Sequence, residues 1–269
     1  ESIEIERVKE VANDRLVQIK FTFTMSAFSK CFRPTSTYPS DIANLVTWLR
    51  ADSGLTFDIP TKKISAWADQ SGNTNSVAQA TKSKQALRYG YDGANDKARI
   101  EFNGTSNYFV SDSNCPITRD FTMFFVAQVN TDATENADYF SFVNGSKLIT
   151  LGSTNNELRV FFSDASGNGA NLTLSGSDTS NYHIAVAHFH NKHMHLEFNN
   201  TLSTHVNESS FDHNTTFNDA TYTIGYKLTE DATHYLDGNI QEVIIYNHEL
   251  DNNKIADIKS YLNTKYKIY

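Results

Sequence analysis

Ten short apolar or alternating runs recur between residues 45 and 246, and this repetition constrains the fold more than any other feature of the sequence. They lie at 45–49, 64–68, 99–102, 121–129, 139–143, 158–162, 182–190, 194–198, 222–226 and 240–246. Clusters of Asn, Asp, Ser, Thr and Gly, such as residues 163–171, separate them. Short runs with this punctuation predict antiparallel strands stacked as a sandwich, not strands alternating with helices. The expected class is therefore all-β. One helix is predicted at the end, where Asp251 can cap Asn252 onward and Ile255, Ile258 and Leu262 recur along one stripe. It should pack on the sandwich as a closing element.

The chain has 269 residues, 39% of them hydrophobic and 12% aromatic, enough to bury a large core. Its 23 Lys and Arg face 31 Asp and Glu, and the resulting net charge of −8 argues against a grip on a phosphate backbone. No nucleic-acid partner is expected. The longest apolar run, 121–129, falls far short of the roughly 20 residues that span a bilayer, so membrane insertion is not expected either. Cys31 and Cys115 allow one internal disulfide at most, and their spacing does not say whether they pair.

Residues 1–24 read differently from the rest. Ile3 and Ile5, then Val17, Ile19, Phe21 and Phe23, alternate with polar residues around a turn at Asn13-Asp14, which predicts a β-ribbon. A two-stranded ribbon is marginal alone in water. It is thus expected to be a docking element that joins other subunits in an oligomeric assembly. Residues 25–40 place Pro34 and Pro39 among Ser and Thr and read as a linker, leaving 41–269 as the main domain.

Three segments of that domain carry a resemblance. The first runs from Ile42-Ala43-Asn44-Leu45 through Trp48 to Ile64-Ser65-Ala66-Trp67-Ala68-Asp69-Gln70-Ser71-Gly72, with a Trp-x-Asp-x-Ser-Gly turn. The second is Ile100-Glu101-Phe102-Asn103-Gly104, and the third Leu236-Asp237-Gly238-Asn239-Ile240 through Tyr246 and Leu250 to the helix ending at Tyr266. In this order they resemble the laminin-G-like jelly rolls of the concanavalin A-like lectin and glucanase superfamily, of the type found in bacterial surface proteins and bacteriophage virions. The resemblance implies a two-sheet antiparallel jelly-roll sandwich at a cell exterior or virion surface. Its members include carbohydrate-binding modules, adhesins, virion spikes and polysaccharide-cleaving enzymes, so the fold leaves function open.

Retaining β-glucan hydrolysis in that superfamily needs carboxylates about 5 Å apart on one strand. No Glu-x-Asp-x-(x)-Glu is present. The nearest same-face acidic pair, Glu4 and Glu6, alternates with Ile3 and Ile5 and reads as a solvated strand face. No Gly-x-Ser-x-Gly elbow, P-loop or dinucleotide fingerprint occurs. No catalytic residue is therefore assigned.

The densest unusual feature is His188-Phe189-His190-Asn191-Lys192-His193-Met194-His195. A hairpin with Asn191-Lys192 at its tip sets His188 opposite His195 and His190 opposite His193. Ala185, Ala187, Phe189, Met194, Leu196 and Phe198 then share the core side. Cross-strand Cβ atoms about 5 Å apart could present these imidazoles to a zinc-type ion, with Glu197 on the same surface. A polar face meeting solvent or another subunit is the stronger reading. Calcium is a second metal the loops allow, through Asp164, Asn168 and Asn171, although Asp and Asn also favour turns for their own backbone bonds. No cofactor is required.

Sugar recognition calls for an exposed aromatic platform beside polar side chains. Trp48 and Trp67 read as core and turn anchors, leaving the loop aromatics Tyr89, Tyr91, Tyr108 and Tyr235 as carbohydrate-binding candidates. The functional expectation is a non-enzymatic lectin-like adhesion or structural protein. A purely architectural capsid-decorating or tail protein is the second reading, and a polysaccharide-cleaving enzyme the third.

Overall fold

A computed structural model describes residues 37–130, 136–212, 214–227 and 234–269, together with the backbone of two strands ahead of them. The chain forms two units, residues 1–37 and 38–269. In the first, β1 (Ser2–Val11) and β2 (Arg15–Thr24) pair antiparallel, with Ile3 opposite Phe23 and Ile5 opposite Phe21. The expected turn at Asn13-Asp14 and residues 25–36 of the expected linker lie outside the described residues. The larger unit begins at Tyr38, three residues ahead of the expected start. Pro39 there is already buried, and its carbonyl accepts a hydrogen bond from the Tyr246 hydroxyl at 3.0 Å.

The strands of the larger unit follow in chain order: β3 (Leu45–Arg50), β4 (Leu55–Phe57), β5 (Ile64–Trp67), β6 (Val77–Ala78), β7 (Leu87–Tyr89), β8 (Arg99–Asn103), β9 (Phe109–Ser111) and β10 (Phe121–Val129). The second half adds β11 (Ala137–Asn144), β12 (Lys147–Thr154), β13 (Glu157–Ser163), β14 (Gly169–Leu174), β15 (His183–His190), β16 (His193–Phe198), β17 (Leu202–Asn207), β18 (Tyr222–Ile224) and β19 (Asp237–Tyr246). They build two antiparallel sheets stacked as a jelly-roll sandwich. One sheet has the order β17-β16-β15-β10-β19-β8-β7, with β3 also on β19, and the other β14-β13-β12-β11-β18-β9-β6-β5-β4.

Seven of these strands have no counterpart in the predicted runs: β4, β6, β7, β9, β12, β14 and β17. Four are only two or three residues long, too short to show a period. β14 and β17 are sheet edges with one half-polar face, and β14 begins inside the Gly and Asn cluster expected to be loop. In β12, Gly152 breaks the apolar pattern for a steric reason. A Cβ there would meet the Ala137 carbonyl at 2.2 Å, where β11 bulges between Asp138 and Phe140.

The main core lies between the sheets and is rich in aromatics, including Trp67, Phe102, Phe109, Phe125, Phe140 and Phe142. A second core lies on the other side of the eight-stranded sheet, where Trp48, Phe124, Val186, Ile244 and Tyr246 meet the helix α1 (Asn252–Tyr266) through Ile255, Ile258, Tyr261, Leu262 and Tyr266. The β10 stretch Met123–Ala127 and the β19 stretch Val243–Tyr246 are thus apolar on both faces, which explains why they read as unbroken apolar runs. Asp251 caps the helix by accepting the Lys254 N–H at 3.0 Å.

Two polar devices fix this arrangement. Asp69, in the Trp-x-Asp-x-Ser-Gly turn, accepts the backbone N–H groups of Trp48, Ser71 and Asn75 and the Ser71 hydroxyl at 2.6–3.0 Å. It ties that turn to β3. Glu242 on β19 is only 1% exposed, yet its carboxylate accepts four donors. Trp48 Nε1 and the Tyr261 hydroxyl reach Oε1 at 2.7 and 2.9 Å, while Lys265 Nζ and the Tyr266 hydroxyl both reach Oε2 at 2.7 Å. Three of the four come from α1, so this one side chain anchors the helix to the sheet. Burial and then the Glu242 charge push both tyrosine hydroxyls well above their ordinary pKa.

Candidate functional site

The histidine hairpin forms in the expected register, His188 opposite His195 and His190 opposite His193. Asn191 and Lys192 both take positive φ, the backbone a two-residue turn of primed type requires. The sequence reading missed a third rung: β17 sets His205 opposite His195. The rings stack as a ladder, His188 on His195 at 4.5 Å and His195 on His205 at 5.4 Å between centroids. The 5%-exposed His188 has Nε2 at 3.3 Å from Glu197 Oε1 and Nδ1 at 3.4 Å from Glu249 Oε1. Lys259 donates to the other Glu197 oxygen at 2.9 Å. Burial would raise the Glu197 carboxyl, but the bonds from His188 and Lys259 bring it down to about 2. His195 is lowered by burial and by its histidine neighbours. A polar cavity of about 360 Å³ opens over the ladder, lined also by Ser203, Thr204 and Asn252.

His190 departs from the ladder and pairs with Asp120 at 3.0 Å. Stacked parallel rings do not converge their nitrogens on one point, and among the described residues no three His, Cys, Asp or Glu side chains are arranged to hold a metal ion. The calcium candidates are also accounted for locally. Asp164 accepts the backbone N–H groups of Ser166, Asn168 and Asp212 and the Asn168 amide, which closes its own turn. Asn171 lies away from that turn on β14, opposite Phe161.

Of the four tyrosine candidates, the structure brings two together. Tyr108 precedes β9, Tyr235 precedes β19, and Tyr226, which the sequence reading passed over, follows β18; Tyr226 and Tyr235 pair through an antiparallel bridge. The three rings form one half-buried cluster: Tyr226 on Tyr235 at 4.4 Å and 22°, Tyr108 at 5.3 Å from Tyr226 and 6.3 Å from Tyr235. Burial, then the neighbouring Tyr235 and Tyr108, raise the Tyr226 hydroxyl. Tyr89 lies elsewhere, on β7, under the cations of Lys62 and Arg99, and Tyr91 stands alone at 87% exposure. Trp48 and Trp67 are buried anchors, as read.

Beside Tyr235 is a buried charged group. Asp138 Oδ1 binds Arg159 at 2.8 Å, and Oδ2 stands 3.4 Å from His234 Nδ1, within ion-pair distance but without hydrogen-bond geometry. Among the described residues Asp138 Oδ2, Arg159 Nε and His234 Nδ1 are buried atoms without a hydrogen-bond partner. On the other side, Lys84 Nζ reaches the Tyr108 hydroxyl at 3.5 Å. Half-buried aromatic rings with a polar side chain at their edge, here Lys84, are the chemistry of saccharide contact: C–H faces stack on rings while hydroxyls find polar partners.

Two further buried groups were not anticipated. Cys115 is a fully buried free thiol, raised by burial to about 12. Cys31 lies outside the described residues. His183 is fully buried, with Nδ1 at 2.9 Å from the Asn181 carbonyl and Nε2 at 3.2 Å from the Tyr139 hydroxyl.

No protein-family model matches the chain, and no curated protein matches it in sequence. Solved structures share its fold. The binding domain of Paraclostridial Mosquitocidal Protein 1 superposes with a TM-score of 0.61 at 16% identity, over 84% of this chain and 54% of that one. The receptor-binding domain of botulinum neurotoxin C/D mosaic serotype gives 0.59 at 14%, over 81% and 51%. The ligand-binding domain of botulinum neurotoxin serotype D, in complex with N-acetylneuraminic acid, gives 0.53 at 12%, again over 81% and 51%. The chain spans about half the length of these domains. The class so defined is the two-sheet antiparallel jelly-roll sandwich; the narrower laminin-G-like assignment has no matching family model. Among the described residues no helix is long and apolar enough to cross a membrane.

Proposed function

We propose that this chain is a non-enzymatic, extracellular glycan-recognition domain that contacts sugar through Tyr108, Tyr226 and Tyr235. The observation that carries this reading is the half-buried stacked tyrosine cluster with the Lys84 ammonium at its edge. Structural neighbours described as binding domains, one of them holding a sugar, support it. The three ordered sequence segments support a laminin-G-like origin. The buried carboxylates Glu242 and Asp138 are engaged with Lys265 and Arg159, which favours a structural use of these acids over a hydrolytic one.

A glycan array tests the proposal, followed by titration of the best binder against Y226A. Stacking of this kind is worth about 0.5–1.5 kcal/mol, so the variant should bind about two- to tenfold more weakly while melting cooperatively. A blank array, or equal affinity for both proteins, would remove the reading.

A second reading is favoured by the ribbon, whose apolar pairs Ile3–Phe23 and Ile5–Phe21 belong to an element marginal on its own. It would fix the domain to other subunits of a larger assembly. Removing residues 1–24 is expected to leave the thermal midpoint of the sandwich unchanged and to lower the mass in light scattering to that of a monomer. A truncated chain that assembles normally would refute this.

A further inference from the structure

The ligand's charge can be read from the surroundings of the tyrosine cluster. Residues 58–99 contain seven Lys and Arg against four Asp and no Glu, in a chain whose net charge is −8. Part of this excess is gathered on the turn Lys82–Lys84. Lys63 Nζ donates to the Lys82 carbonyl at 2.8 Å, and Lys84 Nζ lies over the Tyr108 ring, 5.5 Å from its centroid and 3.5 Å from its hydroxyl. Lys82 is matched by Asp58 at 3.3 Å. Lys63 and Lys84 have no carboxylate within ion-pair distance among the described residues. Lys84 is moreover half-buried, so its stem is held while its charge stays available. An ammonium seated on the rim of an aromatic platform, with no carboxylate within ion-pair distance among the described residues, suits a ligand that brings a negative charge.

Building on the glycan-recognition reading, we infer that the ligand is an acidic saccharide, carrying a carboxylate or a sulfate, whose charge is met by Lys84 while its ring stacks on Tyr226 and Tyr235. Both anionic groups present the same chemistry to an ammonium, and the choice of probes separates them.

The test measures affinity of the full chain for 3′-sialyllactose, a sulfated heparin tetrasaccharide and neutral lactose, at 50 and 300 mM salt, in wild type, K84Q and Y226A. At least one acidic probe should bind about fivefold more tightly than lactose at low salt, the order expected of one partly exposed ion pair, and lose most of that advantage at high salt. In K84Q the acidic-to-neutral ratio should fall towards one, and Y226A should weaken every probe. If lactose binds as well as the acidic probes, or K84Q keeps the ratio, the charge inference is wrong while the platform stands. If Y226A changes nothing or no probe binds, the platform reading itself falls and takes this inference with it.

Discussion

Replacing Glu242 by alanine is expected to cost about 3–5 kcal/mol, the range measured when one partner of a buried charge pair is removed. That is a large fraction of the roughly 5–15 kcal/mol that holds a domain folded. The substitution orphans Trp48 Nε1 and the two tyrosine hydroxyls, and strips Lys265 of its buried partner, leaving it Asp52 at 3.1 Å. E242Q should fall between alanine and wild type. Its amide oxygen still accepts from Trp48 and Tyr261, and the Tyr266 hydroxyl can turn to accept, but the amide nitrogen faces an ammonium that has nothing to accept with. Urea denaturation checks the order, and the near-ultraviolet circular dichroism of Trp48 reports whether α1 stays seated. A loss below 1 kcal/mol for E242A would mean that apolar contacts alone dock the helix.

Mild acid is expected to destabilise the sandwich through His183. Burial drives this imidazole down to about 4 from its ordinary 6.5, so the folded state holds it neutral while the unfolded chain takes up a proton. The stabilisation is therefore complete above pH 6.5 and declines as pH falls from 6.5 towards 4, by about 1.4 kcal/mol per pH unit for a single proton. Between pH 7 and 5 this amounts to roughly 2 kcal/mol. His195, also depressed, adds to the loss with the same sign, whereas the Glu197 contribution is lost only below its ordinary 4.5, on the way down to about 2. In H183Q the slope of stability against pH across this window should drop by about one proton's worth. Equal slopes in the two proteins would place the acid sensitivity elsewhere.

What the sequence could show follows from which interactions are local. The His188–His195 register was legible because a two-residue turn fixes every pair that follows it, and the helix because its cap and apolar stripe lie within 15 residues. β4, β6, β7 and β9 were not, because strands of two or three residues are defined by neighbours distant in the chain. The same reason hid the centre of the tyrosine cluster. Tyr108 and Tyr226 are 118 positions apart and meet only because β9 lies beside β18. Tyr226 sits next to Gly225, whose positive φ and close approach to Phe102 mark a break in the strand; that glycine was the available signal. Glu242 was invisible for the opposite reason. A carboxylate inside an apolar run looks like an outward-facing residue until the helix is seen to cover it.

The helix seated on the eight-stranded sheet also sets where such a protein can diversify. Under α1 an altered side chain is judged by whether the chain still folds, since two apolar layers and a saturated carboxylate share that space. At the tyrosine end the three rings are only half-buried, and under the proposed reading an altered side chain there is judged by what it binds. Under that reading, lineages built on this plan would drift fastest around the tyrosines and slowest beneath the helix.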